Sequence, residues 1–288
     1  MLFKAQTASK KTVLTKNIHS MHHKNILFIG LGGCAGRIVA QIKNRLKDYK
    51  NSNNLHYLNL DLEKRQKAKI EEKGFDESEY LFFGGGNPRG YIDEILKKGS
   101  TSEDYQKLSS YFPIDRIGFV ESLPDRPMEK GAGRKRMVGR LLLYANKYKV
   151  ENKINELMRK LNDKAESSHP NVVVISSCCG GTGSSVFYDI LNLFASPSIN
   201  LFPVVIGPSF LIEKNKETNH NLADKIKMNA MAFFEELNFY NRFPKFNDFS
   251  IFSNKSKRLN LRYILFFDNL LKHEHDKKAA DMTDLEVV

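Results

Sequence analysis

The chain has 288 residues, of which 41% are hydrophobic and 27% are charged, and it carries a formal net charge of +12. This composition is typical of a globular protein and excludes a chain that is disordered throughout. The sequence contains no run of about 18 or more uncharged apolar residues, so it offers no membrane-spanning helix.

Three cysteines, Cys34, Cys178 and Cys179, are too few and too badly spaced for a disulfide framework or a zinc site, so we expect buried thiols in a reducing cytoplasm. The positive charge suits a polyanionic partner, which leaves nucleotide, nucleic acid including DNA, and an acidic protein surface open. A proteome rich in lysine and asparagine would give the same charge without any such partner.

Residues 1–24 contain several lysines and no acidic residue. They lack the continuous apolar segment of a secretory signal. We therefore expect a disordered basic arm that lies outside the fold.

The first unit of the fold is a strand, a glycine-rich segment and a helix. Ile26–Ile29 form a buried strand, the segment Gly30–Gly36 follows as a loop, and apolar spacing from Ile38 onward marks the helix. Gly30, Gly32 and Ala35 fit the relaxed G-x-G-x-x-A pattern of dinucleotide-binding proteins. One match of this kind is weak on its own.

The second predicted strand, 55–62, ends in Asn59-Leu60-Asp61. A dinucleotide-binding fold would place a ribose-binding acid at this position, which makes Asp61 a candidate. A Rossmann-type protein that binds NAD or FAD is therefore one open interpretation.

The segment 64–130 shows little periodicity, and we interpret it as an insertion between the second and third units. Within it, Gly84–Gly90 resembles a nucleotide loop, but no apolar strand and clean helix flank it. Turn chemistry alone explains its glycines and its Asn-Pro pair.

A second glycine pattern, the GAG segment (Gly131–Arg140), opens a helix whose apolar positions continue to Leu161. Three consecutive cations, Arg134, Lys135 and Arg136, stand at the start of this helix, where the positive end of the helix dipole disfavours them. That position favours a functional role, either binding phosphate or pairing with an acidic partner.

The clearest pattern is a buried strand at Val172–Ile175, the central loop (Gly180–Ser184) and an apolar helix up to Ala195. An unbroken β-branched run is typical of a parallel strand covered on both faces. The glycine amides and the helix N-terminus then gather at one point, which favours an anion such as phosphate. A Walker A loop is excluded, because no lysine follows the glycines.

The remaining elements are a buried strand at 201–206, a loop at 209–221, an amphipathic helix at 222–240 and a last strand at 262–267. The alternation of strands and helices predicts an α/β fold, a three-layer, doubly wound, mostly parallel sheet. We expect this domain to span residues 25–270.

Three features together resemble the tubulin/FtsZ superfamily: the GGTG core of the central loop, the GAG segment and Asn59-x-Asp61. The GAG-x-x-R-x-x-GR spacing is most similar to the bacterial tubulin-like proteins. The order of these motifs between Asn25 and Asn269 favours this resemblance over a dinucleotide-binding fold.

The resemblance implies a nucleotide-binding domain for GTP or GDP, with Mg²⁺ as a possible companion. Glycine amides and a threonine hydroxyl would hold the phosphates, the GAG segment would face the γ-phosphate, Glu213 would contact the ribose and Asn269 the guanine. The site residues implied are Gly32, Gly33, Cys34, Arg37, Asn59, Asp61, Gly131, Ala132, Gly133, Arg134, Gly180, Gly181, Thr182, Gly183, Ser184, Glu213 and Asn269.

The family continues beyond this point with a central helix, an acidic loop and a second domain, whereas residues 271–288 form only a tail or a truncated start of that helix. The resemblance therefore implies that the C-terminal second domain is absent, and that a partner subunit would have to supply the acidic loop that promotes hydrolysis. We expect little GTPase activity from the isolated chain, association with itself or a second chain, and a cytoplasmic location.

Overall fold

The computed structural model describes residues 25–49, 52–163, 169–209, 211–212, 220–242, 250–252 and 264–268. The basic arm at 1–24 and the tail at 271–288, on which two of the expectations fall, lie outside the described residues.

In the described residues, six strands form one sheet, and every neighbouring pair is parallel. The strands, in sequence order, are β1 (Ile26–Leu31), β2 (Leu55–Asp61), β3 (Tyr80–Phe82), β4 (Asn171–Ser177), β5 (Asn200–Ile206) and β6 (Leu265–Phe267). Their order across the sheet is β3-β2-β1-β4-β5-β6.

The helices connect these strands and are numbered in chain order. They are α1 (Gly32–Leu46), α2 (Lys67–Glu72), α3 (Pro88–Lys97), α4 (Glu103–Ser109), α5 (Ile117–Ser122), α6 (Arg136–Ala145), α7 (Lys147–Asp163), α8 (Gly183–Leu193) and α9 (His220–Arg242). Short 3-10 turns precede β2 and β3, at Ser52–Asn54 and Glu77–Glu79.

Helices cover both faces of the sheet, because the strands β1, β2, β4 and β5 direct alternate side chains into two separate apolar cores. Val172 and Val174 of β4 face the larger core together with α6, α7, α8 and α9. Ile175 faces the smaller core, which contains residues of α1 and α2. The predicted α/β class, with a doubly wound parallel sheet between two helical layers, is confirmed.

The strand order creates a switch point between β1 and β4. From β1 the chain moves outward through β2 to β3, and it then returns to β4 and moves the other way through β5 to β6. In open parallel sheets, connections that leave in opposite directions open a crevice at the carboxyl ends of these two strands. The first glycine-rich segment spans the end of β1 and the start of α1, and the central loop follows β4, so both lie at this crevice.

Several local expectations are wrong. The segment Gly30–Gly36 is not a loop, because β1 extends to Leu31 and α1 begins at Gly32. The helix expected from the GAG segment onward is two helices, since α6 ends at the cap residue Asn146 and α7 starts directly after it.

The interpretation of Gly84–Gly90 as a segment without a strand and a helix is also wrong. Strand β3 precedes it and pairs with β2, and helix α3 follows it. The Asn87-Pro88 pair is the start of α3, where the Asn87 side chain accepts a hydrogen bond from the Gly90 amide at 3.0 Å. Segment 64–130 therefore contributes an edge strand to the main sheet. The domain boundaries expected from the sequence, 25–270, stay a prediction.

Candidate functional site

The first glycine-rich segment and the central loop touch each other at the switch point. Gly32 has a φ of 79°, and a Cβ on it would lie 3.2 Å from the Gly183 nitrogen and 3.3 Å from the Thr182 Cβ. Only a residue without a side chain allows this approach at this backbone angle. The backbones that follow β1 and β4 are therefore in direct contact.

The GAG segment contacts the central loop from another direction. A Cβ on Gly181 would lie 2.6 Å from the Arg134 Cα, so the two backbones are in direct contact. At its other end, the Gly131 amide donates to the Leu62 carbonyl at 3.1 Å. The GAG segment therefore bridges the end of β2 and the central loop.

Six backbone amides in these two loops have no acceptor among the described residues. In the central loop they are those of Gly180, Gly181 and Thr182, and in the GAG segment those of Ala132, Gly133 and Arg134. Because Gly181 and Arg134 touch, the two sets of amides adjoin each other. They also adjoin the N-terminus of α8, where the positive end of the helix dipole lies.

The Ser184 hydroxyl is used within the fold. It donates to the Gly180 carbonyl and accepts from the Arg136 Nε at 3.1 Å, and the residue is fully buried. Thr182 is also buried and makes no side-chain cap to α8. The central loop can therefore offer a ligand its amides, whereas the Ser184 side chain already has its partners.

Asp61 adds a carboxylate beside the first glycine-rich segment. It is 3% exposed, its Oδ1 accepts from the Leu62 amide at 2.7 Å, and its Oδ2 has no partner among the described residues. A Cβ on Gly33 would lie 3.6 Å from that Oδ2 and 3.8 Å from an Arg65 guanidinium nitrogen. Burial raises the pKa of Asp61 to about 6.

Arg37 and Asn59 belong to a neighbouring small cleft between α1 and the end of β2. Gly33, Gly36, Arg65, Ile70, Lys73, Phe75 and Tyr80 also line it. Asn59 is 2% exposed, its side chain lies directly under Gly36, and its Oδ1 has no partner within the described part of the chain. Cys34 is partly exposed, and burial raises the pKa of its thiol.

Two adjacent buried thiols, those of Cys178 and Cys179, directly follow β4. The interaction between the two thiols raises the pKa of Cys178 and lowers that of Cys179. The charge of Arg134 lowers the pKa of Cys179 further. Arg134, whose backbone contacts Gly181, therefore also acts electrostatically on the residue that precedes the central loop.

Asn229 of α9 joins the two loops, and its role was not predicted from the sequence. Its Nδ2 donates to the Arg134 carbonyl and to the Cys179 carbonyl, each at 3.1 Å. One signal could have found it: Asn229 is a polar residue three positions after Ile226 and four before Phe233, both of which are buried. A polar residue on the apolar face of a helix needs a buried partner.

The structure therefore brings together the candidates of the first glycine-rich segment, the GAG segment and the central loop, with Asp61 beside them. Glu213 and Asn269 lie outside the described residues. Among the described residues, no three His, Cys, Asp or Glu side chains cluster as metal ligands would. The described helices also include none that is long and apolar enough to cross a membrane.

The fold and these contacts define a doubly wound α/β protein with three backbone segments gathered at its switch point. A family model described as tubulin-like matches residues 27–279. The chain belongs to this tubulin-like family. No curated protein sequence matches the chain.

Among solved structures, the chain is similar to CetZ1 from Haloferax volcanii, a GDP-bound monomer, at 13% identity and a TM-score of 0.46 over 85% of this chain and 51% of that one. It is also similar to CetZ from Methanosaeta thermophila strain DSM 6194, at 13% identity and a TM-score of 0.40, covering 79% and 57% of the two chains. CetZ2 from Haloferax volcanii, a GTPγS-bound protofilament, matches at 11% identity and a TM-score of 0.36, covering 73% and 56%. The chain thus spans a little over half the length of these structures.

Proposed function

We propose that the chain binds guanine nucleotide, GTP or GDP, with its phosphates on the amides of the central loop and the GAG segment. The observation that carries this proposal is the set of six adjoining amides without an acceptor in the described chain. Backbone N–H groups at a helix N-terminus are a common way to bind phosphate. The same segments hold nucleotide phosphates in the proteins that the sequence resembles.

The local charge supports an anion at this point. The central loop and the GAG segment contain no carboxylate, and the GAG segment supplies Arg134 beside the amides. The net charge of +12 adds a long-range attraction for nucleotide phosphates.

Asp61 is the residue that fits a magnesium ion brought in by the nucleotide. Its Oδ2 is buried and has no partner in the described chain. Mg²⁺ in nucleotide sites is held by one or two carboxylates together with phosphate oxygens and water, so a cluster of acidic residues is not needed. A bound Mg²⁺ would neutralise phosphate charge, and Asp61 would hold it as a carboxylate.

The choice of guanine rests on membership in the tubulin-like family, together with Asn269 and Glu213 as the residues for base and ribose. We also propose that hydrolysis requires a partner subunit, either a second copy or another chain, because the two phosphate loops contribute no carboxylate to orient a water. A cytoplasmic location, a bacterial origin and self-association remain predictions.

A second candidate function is dinucleotide binding. The strand order β3-β2-β1-β4-β5-β6 and a buried acid, Asp61, at the end of β2 are also features of Rossmann-type proteins. Family membership favours the tubulin-like function, and nucleotide competition distinguishes the two.

The test is a titration with a fluorescent GTP analogue, followed by competition with GTP, GDP and NAD. We expect GTP and GDP to displace the analogue and NAD to leave it bound. Displacement by NAD alone would favour the dinucleotide function.

Two glycine-to-alanine variants, one in the central loop and one in α5, test where the phosphates bind. A Cβ on Gly180 and one on Gly118 would each meet no atom within 4 Å, so both alanine variants are compatible with the fold. Gly180→Ala adds a methyl beside the unpaired amides, and we expect it to weaken GTP binding at least about tenfold, which corresponds to about 1.4 kcal/mol. Gly118→Ala in α5 is expected to bind as the wild type does. Equal affinity of both variants would contradict a phosphate site at the central loop.

A further inference from the structure

Arg136 reaches from the start of α6 to the central loop. Its Nε donates to the Ser184 Oγ at 3.1 Å, and a second guanidinium nitrogen donates to the Ser184 carbonyl at 2.9 Å. That second nitrogen also pairs with Glu236 of α9. Arg136 therefore holds the first turn of α8 by two hydrogen bonds and is itself held by a carboxylate.

The position of Arg136 is an unfavourable one for a cation. It is the first residue of α6, where the positive end of the helix dipole lies, and its side chain is only 11% exposed. Removing a guanidinium from water costs further free energy unless its donors are paired. The bonds to Ser184 and Glu236 offset both costs, so the favourable environment of Arg136 comes from the central loop and α9 and not from its own helix.

The Ser184 hydroxyl connects Arg136 to the peptide group between Gly180 and Gly181. Because an arginine can only donate, the hydroxyl proton is left for the Gly180 carbonyl, to which the Ser184 Oγ donates. This peptide is trans, and the C=O and N–H of a trans peptide point in opposite directions. The Gly181 amide therefore points away from Ser184 and from the Arg136 guanidinium.

The next peptide group of the central loop is oriented by α6 itself. A Cβ on Gly139 would lie 2.5 Å from the Gly181 carbonyl oxygen, so this carbonyl packs against the backbone of α6. Since the peptide between Gly181 and Thr182 is also trans, the Thr182 amide points away from α6. Two central-loop amides that have no acceptor in the described chain are thus oriented by contacts with α6.

We propose that Arg136 is a positioning residue of the nucleotide site, which acts through Ser184 to keep the Gly181 amide directed at the bound phosphates. This inference rests on the proposed function. The role is distinct from a contact with phosphate, because the bonds of Arg136 to the central loop are made to Ser184. Since Arg136 acts on the shape of the loop and not on one phosphate group, it affects the affinities for GTP and GDP alike.

The experiment is a double-mutant cycle on the dissociation constants of GTP and GDP, with Arg136→Gln, Ser184→Ala and the protein that carries both changes. We expect Arg136→Gln to weaken both nucleotides about tenfold, the lower end for a charged hydrogen bond, and Ser184→Ala to weaken both by about three- to tenfold, the range for a neutral one. The double variant is expected to lose about tenfold and not the product of the two losses, because both changes interrupt the same connection.

Two further variants complete the set. Arg136→Lys keeps the charge and a donor for Ser184 without the planar fork, and we expect it to recover part of the loss. Arg159→Gln makes the same change at an exposed arginine of α7 and is expected to leave both affinities unchanged. The free energy of unfolding of every variant is measured in parallel, which separates a loss of stability from a loss of affinity.

An Arg136→Gln variant that is less stable but binds both nucleotides as the wild type does would overturn the proposal. Losses that multiply in the double variant, or a loss confined to one nucleotide, would also overturn it. If Arg136→Gln does not fold, Ser184→Ala decides alone, because wild-type affinity in that variant contradicts the connection. Each of these results leaves the proposed function standing, whereas a wild type that binds neither nucleotide would contradict the proposed function itself.

Discussion

At the scale of single residues, Asp61 links the candidate site to the stability of the fold. Its carboxyl group is 3% exposed, and burial raises its pKa to about 6, compared with 3.8 for an exposed aspartate. A folded-state pKa that is raised gives a stabilising contribution that is complete below about pH 4 and is lost as the pH rises through 6. At neutral pH the ionised Asp61 therefore destabilises the protein without ligand.

We predict that Asp61→Asn raises the free energy of unfolding at pH 7 by about 3 kcal/mol, which corresponds to two pKa units. At pH 4.5 the gain is expected to be about 2 kcal/mol smaller, because the wild-type carboxyl group is then largely protonated in the folded state. Urea unfolding of both proteins at the two pH values measures this difference. A gain of the same size at both pH values would contradict a raised pKa for Asp61.

The roles of single residues could be predicted from the sequence only where local pattern determines them. Gly180 and Gly181 stand out because they follow a β-branched strand and precede an apolar helix. Asn229 was missed, because its partners, Arg134 and Cys179, are 95 and 50 positions away in the chain. Contacts over such distances depend on the tertiary fold, which local periodicity does not specify.

At the scale of elements, the contact between α6 and α8 explains the R-x-x-G-R spacing of the GAG segment. Arg136, Gly139 and Arg140 are three and four positions apart, so they share one face of α6. Arg140 pairs with the buried Asp189 of α8 through two bonds of 2.9 and 3.3 Å. Between the two arginines, Gly139 allows the helices to approach closely.

We predict that Gly139→Ala destabilises the protein by about 3 kcal/mol, the upper part of the range for overpacking. The added Cβ would overlap the Ser185 hydroxyl and lie 2.5 Å from the Gly181 carbonyl. The helices would have to separate, which also strains the Arg140–Asp189 pair. Denaturant unfolding measures the loss, and Gly118→Ala serves as the control.

The control is expected to be as stable as the wild type or slightly more stable, because alanine favours a helix more than glycine does. If Gly139→Ala were as stable as Gly118→Ala, the close approach of α6 and α8 would be contradicted.

Whether an element could be predicted from the sequence depended on its length and on the turn residues at its ends. Strands β1, β2, β4 and β5 were predicted because each is a run of six or seven residues with a strong apolar pattern. Strand β3 was missed because its three residues are too few to show a period, whereas β6, equally short, belongs to the longer apolar run at 263–267. The break between α6 and α7 was missed because Asn146 is neither glycine nor proline, the residues that usually signal a helix end.

At the scale of the whole molecule, the parallel sheet places the start of α1, which directly follows β1, and the central loop, which follows β4, at one crevice, and the family match identifies the chain as tubulin-like. The topology was predictable as a class, because alternating buried strands and helices form doubly wound sheets. The order of the six strands could not be predicted from the sequence, since it depends on pairing between distant segments.

We predict that purified protein at high dilution turns over GTP negligibly, and that turnover per chain rises with protein concentration if copies associate. The reason is that the central loop and the GAG segment carry amides and cations but no carboxylate to orient a water. A phosphate-release assay over a dilution series measures this dependence. Rapid turnover that does not depend on concentration would contradict the need for a partner subunit.

The most direct test of the central claim is amide hydrogen exchange with and without GTP, followed in the GAG segment and the central loop. We expect GTP to slow exchange at 132–134 and 180–182, because the phosphates would become the acceptors for these six amides. The loop at 99–102, which connects α3 and α4, is expected to exchange at the same rate in both conditions. GTP binding that leaves exchange in the GAG segment and the central loop unchanged would contradict a phosphate site at these amides.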